Sequence, residues 1–352
     1  MRSCGLMLAV AAVHILLCFG AAPAYPDPAY CRDLDGTRVA LGTEETYFEQ
    51  DPTAPKDTRA EEVEPGHWAI RLRAYLYVPT TPGAKPTIIY NHGHETPLPP
   101  CALVNAFVKR GFIVFAPFRP GYGPSTGQGV DQYAARGCEE RPGGCTPDEE
   151  DELAMKYFRL MAFDIVTAVD WLKRTQAEVD PDRMVLLGHA EGGGATLFAN
   201  LLPLLDHKAA IDISGGALSW EANRWLRNLF TEAAGHGRQP VFFLQAKNDH
   251  SLEPTRVLSR TAWKAGRPYL AGVYPAVPDP ADPTKELGDA KEVDRRFVHD
   301  GCQVAKWIGD VLDFLARSGV SANPPQPQNV PPDSPQPDDG QLYKDCPTSP
   351  AG

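Results

Sequence analysis

The residues best placed for chemistry are Gly188-His189-Ala190-Glu191-Gly192. The apolar run Val185-Leu186-Leu187 precedes them, and Gly193, Gly194 and a stretch of small and apolar residues from Ala195 to Leu202 follow. That order reads as strand, sharp turn and helix, with glycines two before and two after a central residue. Such a turn makes the central residue jut out at a strained backbone angle, and only glycine fits where neighbouring backbone comes close. It suits presentation of a nucleophile for acyl transfer. Acyl transfer also needs a histidine base, an acid that orients the base, and two N–H donors for the oxyanion. The central residue here is Ala190, and a methyl group cannot attack a carbonyl.

Candidates for the other roles follow in the chain order nucleophile, acid, histidine. Asp249 sits just past the apolar strand Val241 to Leu244, on a loop that leaves the strand's C-terminal end and so faces a crevice. His299 lies just before the final helix, and past Asp249 the sole competing histidine is His250. Upstream, His92-Gly93-His94 follows a short strand. The backbone N–H of His94 and that of Glu191 are the expected oxyanion donors. A metal pair at His92 and His94 lacks a third ligand at useful spacing. Glu191 as a substitute nucleophile is discounted, because its side chain points away from the turn's tip.

The elements that must position these groups alternate. Ile70, Leu72, Ala74, Leu76 and Val78 alternate with Arg71, Arg73, Tyr75 and Tyr77, which predicts a strand with one buried face. Further strands are expected at Thr87–Tyr90, Phe112–Ala116, Ala209–Ile213, Val241–Leu244 and Tyr269–Val273. Helices are expected near 102–110, 254–265 and 304–316. A long loop covers Arg119 to Cys145, and Asp180-Pro181-Asp182-Arg183 turns the chain into the elbow strand. Thr146-Pro147-Asp148-Glu149 predicts a capped start to a helix reaching about Arg174. Strands alternating with helices imply a mostly parallel sheet covered on both faces. Arg119, Tyr122 and the Cys138 to Cys145 loop are expected to line the crevice, with Trp220 and Trp225 capping it.

Arg2, the apolar stretch Leu6 to Phe19 and the small residues Ala22-Pro23-Ala24 form a cleavable leader over 1–24, so a secreted or periplasmic protein is expected. The domain then covers 25–319, and 320–352 is a Pro-rich tail expected to be disordered. The chain carries 34 Lys and Arg against 45 Asp and Glu, a net charge of −11. That argues against nucleic acid or an anionic membrane as partner. Cys31, Cys101, Cys138, Cys145, Cys302 and Cys346 remain after the leader, an even set that suggests disulfides. Cys138 and Cys145 are near enough in sequence to close a small loop.

Together the run Thr87 to His94, the block Asp180 to Gly193, the turn Asn248-Asp249 and His299 resemble the α/β-hydrolase superfamily, in particular dienelactone hydrolase-like serine esterases. The likeness covers most of 68–317 and departs from the pattern at Ala190. It implies an α/β-hydrolase fold with a mostly parallel sheet of about eight strands and helices on both faces. It also implies hydrolysis of a small ester or lactone, and no cofactor. In that fold the helix after the oxyanion loop and the last helix share one face. Since Cys101 and Cys302 head them, a Cys101–Cys302 disulfide is expected, with Cys31–Cys346 left by elimination. Three functions stay open. The chain is a Ser-Asp-His esterase silenced at Ala190, a pseudo-hydrolase that binds a ligand, or an enzyme using a His299–Asp249 dyad without a covalent step.

Overall fold

The computed structural model describes residues 31, 37–47, 61–64, 67–94, 98–141 and 143–321. The leader, Cys346 and nearly all of the Pro-rich tail lie outside them. The elements run β1 (Thr37–Tyr47), β2 (Glu61–Glu64), β3 (His67–Ala69), β4 (Arg71–Pro79), β5 (Lys85–Asn91), α1 (Cys101–Val108), β6 (Ile113–Pro117), α2 (Val130–Glu139), α3 (Pro147–Thr175), β7 (Val179–His189) and α4 (Glu191–Ala199). They continue with β8 (Ala209–Ile213), α5 (Arg224–His236), β9 (Val241–Ala246), α6 (Glu253–Lys264), β10 (Tyr269–Tyr274), α7 (Ala290–His299) and α8 (Gly301–Arg317).

Eight strands form one sheet in the order β1-β4-β6-β5-β7-β8-β9-β10, and β2 pairs with β3 apart from it. The β4 strand is antiparallel to β1 and β6, while β5, β6, β7, β8, β9 and β10 pair in parallel. This is the mostly parallel α/β-hydrolase sheet expected from the sequence. The central strands are buried along their lengths because helices cover both faces. On one face Leu103, Val104 and Phe107 of α1 pack with Val304, Trp307 and Val311 of α8. On the other, Tyr157, Met161 and Ile165 of α3 pack with Leu197 of α4, Leu229 of α5 and Leu258 of α6. Among the described residues no helix is long and apolar enough to cross a membrane.

Several local expectations meet their outcome here. Thr146 and Glu149 close the capping box at the start of α3, with Thr146 N–H donating to Glu149 Oε2 at 2.8 Å. The expected loop from Arg119 to Cys145 contains α2, and Asp180 to Arg183 belongs to β7 rather than to a separate turn. Cys138–Cys145 forms as expected, but Cys101 bonds to Cys31, not to Cys302, which also removes Cys31–Cys346. Helices α1 and α8 do share a face. A bridge, however, requires Cα atoms within about 7 Å, and Cys31 meets Cys101 at 5.3 Å. Cys302 is itself disulfide-bonded.

One buried carboxyl sits at the centre of this frame. Asp212 on β8 is packed against the backbone of Gly193 and Gly215. Burial pushes it up to about 7, with the Gly215 N–H only partly opposing.

Two stability outcomes follow from loop length and from this proton. The doubly substituted Cys31→Ser, Cys101→Ser protein, losing a link across 70 residues, should fall by about 4 kcal/mol, and the Cys138→Ser, Cys145→Ser protein, losing one across 7, by about 2. Urea midpoints in the reverse order would refute this ranking. Because folded Asp212 keeps a proton that the unfolded chain releases near 3.8, stability should fall as pH rises from about 4 to about 7. Asp212→Asn should flatten that part of the stability profile.

Candidate active site

The site forms where the C-terminal ends of β5, β7 and β8 meet the start of α4. Gly188 and Gly192 are required there. A Cβ on Gly188 would lie 2.0 Å from the Gly192 carbonyl oxygen, and one on Gly192 would lie 2.0 Å from that of Asn91. This approach folds the chain sharply, and Ala190 between them takes φ 52 and ψ −116. A non-glycine residue held so costs roughly 1–3 kcal/mol. The surroundings hold it: Ala190 N–H donates to Ile213 O at 2.8 Å, and Asn91 Nδ2 donates to Thr196 Oγ1 at 2.8 Å. The turn expected from the glycine spacing is therefore present, with a methyl group at its tip.

Ala190 opens onto a cavity of about 380 Å³. Its apolar wall comes from Phe158 of α3 and Leu226 and Phe230 of α5, with Ala217 and Leu218 between strand and helix. The Phe158 and Phe230 rings meet edge to face with centroids 5.5 Å apart. Trp220 and Trp225, expected to cap the crevice, do not line it. Trp220 is packed in the core, and Arg224 lies over the Trp225 ring. Leu218 and Leu226 take that place.

His94 and Glu191 also line the cavity. Glu191 is the first residue of α4, so its N–H has no acceptor within the helix. Its carboxylate meets Arg119 Nη2 at 2.6 Å and His94 Nδ1 at 3.5 Å. Burial would raise Glu191, but Arg119 and His94 outweigh it and hold the carboxyl below its usual range. Arg119 is 4% exposed and spends its guanidinium on Glu191, the His92 carbonyl and the Gly93 carbonyl. It braces the loop after β5 from behind instead of facing the cavity, and Tyr122 bonds His94 Nδ1 at 2.8 Å. These two residues, expected to contact substrate, act as supports.

His92 is driven well below its usual range by burial and by Arg119, so it is neutral. Its Nε2 accepts from Arg119 N–H at 3.2 Å, which leaves Nδ1–H to donate to the Gly93 carbonyl at 2.7 Å. That occupies both ring nitrogens. No group of side chains that could hold a metal ion occurs among the described residues.

Asp249 and His299 do not come together. The Asp249 carboxylate accepts from Gln245 Nε2 at 3.0 Å and from His250 N–H at 2.7 Å. Burial, reinforced by Asp294, pushes it up to about 6. His299 ends α7, with its Nε2 buried and without a hydrogen-bond partner among the described residues. Burial, then His189, pushes it down to about 4. A carboxylate bonded to the ring would raise the histidine. The pair that does form is His189 Nε2 with Asp294 Oδ1 at 2.8 Å, and both residues line the cavity. Burial lowers His189, but Asp294 more than compensates and raises it.

The sequence hid Asp294 because it lies on α7, a helix not read from the sequence, and 105 residues from His189. Ser214 was also missed. It lines the cavity at the end of β8 with φ 57, and its only signal is the following pair Gly215-Gly216.

No protein-family model matches the sequence, and no curated protein matches it. Solved structures resemble it in fold. An esterase of Pyrococcus furiosus is 14% identical, aligned over 72% of this chain and 88% of its own, with a TM-score of 0.46. A Klebsiella pneumoniae protein assigned as a dienelactone hydrolase is 16% identical over 80% and 99%, with a TM-score of 0.45. An acetyl xylan esterase from a Paenibacillus species is 15% identical over 74% and 87%, with a TM-score of 0.43.

Proposed function

We propose that the cavity above Ala190 receives a small ester or lactone and that the chain handles it without an acyl-enzyme intermediate. The observation that carries this reading is the tip of the elbow, where a methyl group faces the cavity and no Asp249–His299 pair stands beside it. A covalent mechanism without its serine loses roughly a millionfold in turnover. Restoring the hydroxyl would still leave the expected triad unassembled, since His299 neither lines the cavity nor bonds to Asp249.

The ester class rests on the chemistry of the turn. The N–H of Glu191 is unspent at a helix N-terminus, where partial positive charge favours a carbonyl oxygen or oxyanion. The N–H of His94 is the second donor assigned there. The apolar wall suits the hydrocarbon part of such a molecule and leaves the carbonyl at the polar rim. Ester hydrolysis needs no cofactor. The disulfides support an exported, oxidising setting, the one expected from the leader over 1–24.

Turnover of 4-nitrophenyl acetate by the chain and by its Ala190→Ser variant tests this reading, together with calorimetric binding of acetanilide, the amide isostere of a phenyl ester. Acetanilide should bind both proteins, and Ala190→Ser should change turnover by less than about tenfold. Ala154→Phe, which fills the cavity from α3, should remove binding while leaving the unfolding midpoint in place. A gain of several orders of magnitude in Ala190→Ser would instead establish the silenced serine esterase.

A further inference from the structure

Beside Ala190 stands a set of side chains that a covalent mechanism would not use. Glu191 is held on one side by Arg119 at 2.6 Å and faces His94 Nδ1 at 3.5 Å on the other. The Tyr122 hydroxyl bonds the same nitrogen at 2.8 Å, and the Tyr122 and His94 rings meet edge to face with centroids 5.8 Å apart. The Arg119 guanidinium lies 4.9 Å over the Tyr122 ring, which fixes that ring in turn. His94 is thus gripped through Nδ1, with a buried carboxylate behind it. Its Nε2 meets the exposed carboxylate of Asp131 at 3.5 Å, and the imidazole is 45% exposed at the rim of the cavity. An acid behind one ring nitrogen and a reachable second nitrogen is the arrangement that lets a histidine serve as a base.

We propose that His94 is a general base that activates water against the carbonyl of the bound ester, with Glu191 and Tyr122 as positioning residues. The inference rests on the ester-site reading above and adds turnover to it. In the step, the water oxygen forms a bond to the carbonyl carbon as His94 Nε2 takes a water proton. The oxyanion is met by the N–H of Glu191. Collapse breaks the bond to the alkoxy oxygen, which receives the proton back from His94. The products are a carboxylic acid, which ionises, and an alcohol. No covalent enzyme intermediate forms, so the absence of a hydroxyl at 190 does not block the reaction.

The charges around His94 favour this role. Glu191 from α4 and Asp131 from α2 raise its affinity for a proton, while burial and Arg119, from the loop after β6, lower it, and the net shift is upward. Tyr122, from that same loop, faces Nδ1, and neutral His92 lies on the strand side. An imidazolium formed during the reaction is therefore stabilised where it forms.

The test is turnover of 4-nitrophenyl acetate measured alongside acetanilide binding. His94→Gln should lower kcat/KM by about a hundredfold or more while acetanilide affinity is kept. Added imidazole should restore turnover to His94→Ala. In the parent protein kcat/KM should rise with pH through an apparent pKa above 6.5, and Glu191→Gln should move that rise to lower pH. Should Glu191→Gln fail to fold, Tyr122→Phe serves, with a lower kcat at unchanged KM. Acetanilide binding with no turnover above buffer, or with His94→Gln as active as the parent, would overturn this proposal alone. Failure of acetanilide to bind the parent protein would overturn the ester-site reading and this proposal with it.

Discussion

Backbone crowding between the ends of β5 and β7 and the start of α4 governs this molecule. The carbonyls of Asn91 and Gly192 occupy the space that side chains at 192 and 188 would need, so the chain turns there on a very small radius. Ala190 absorbs the cost in its own dihedrals, and the hydrogen bonds to Ile213 and between Asn91 and Thr196 keep it from relaxing. Because α4 starts within one residue of the strand, its first residue, Glu191, stands at the cavity. The cavity's floor, its helix terminus and its rim all derive from that one contact. The strain does not depend on a hydroxyl being present, and a methyl group sits in the same posture.

A second constraint is charge without water. The Arg119 and Glu191 side chains are only 5% and 11% exposed, and stripping two ions of solvent is costly unless each finds several partners. Arg119 finds three, two of them backbone carbonyls of the loop that carries His94. The ion pair therefore sets the loop's position as well as balancing charge. Asp249 and His299 show the opposite condition. Each is partly buried without the other, and each shifts toward its neutral form. His189, which does have a carboxylate within bonding distance, shifts toward its charged form despite deeper burial.

The fold was legible from the sequence because its signals are local. The glycines around Ala190 and the Thr146–Glu149 cap each specify an element through neighbours in the chain. The alternation from Ile70 to Val78 specifies β4, although Tyr75 and Tyr77 on its expected outer face are buried as well because the helices cover both faces. The site was legible only in part, for the same reason. Chain order pointed to Asp249 and His299, but order along a strand-helix frame does not fix which way a loop residue faces. His299 lies at the end of α7, a helix not read from the sequence, and that helix presents Asp294 to the cavity in its place. Arg119 and Tyr122 were found as residues of importance and given the wrong task, since nothing in their spacing shows that Arg119 is spent on Glu191 and Tyr122 on His94. Cys138–Cys145 formed as expected, but the pairing given to Cys101 failed similarly. Sharing a sheet face brought α1 and α8 together, yet the partner of Cys101 came from the start of the chain.

That partner has a mechanical consequence. β1 is an edge strand of the sheet, paired on one side only, and edge strands of this kind part from their neighbour one hydrogen bond at a time when pulled from an end. Cys31 lies ahead of β1 in the chain and is fastened covalently to the first residue of α1. Tension applied at the amino end therefore enters the body through that helix and bypasses the edge. With the link intact, β1 is a slack segment under load. With it reduced, β1 becomes the first zipper to open.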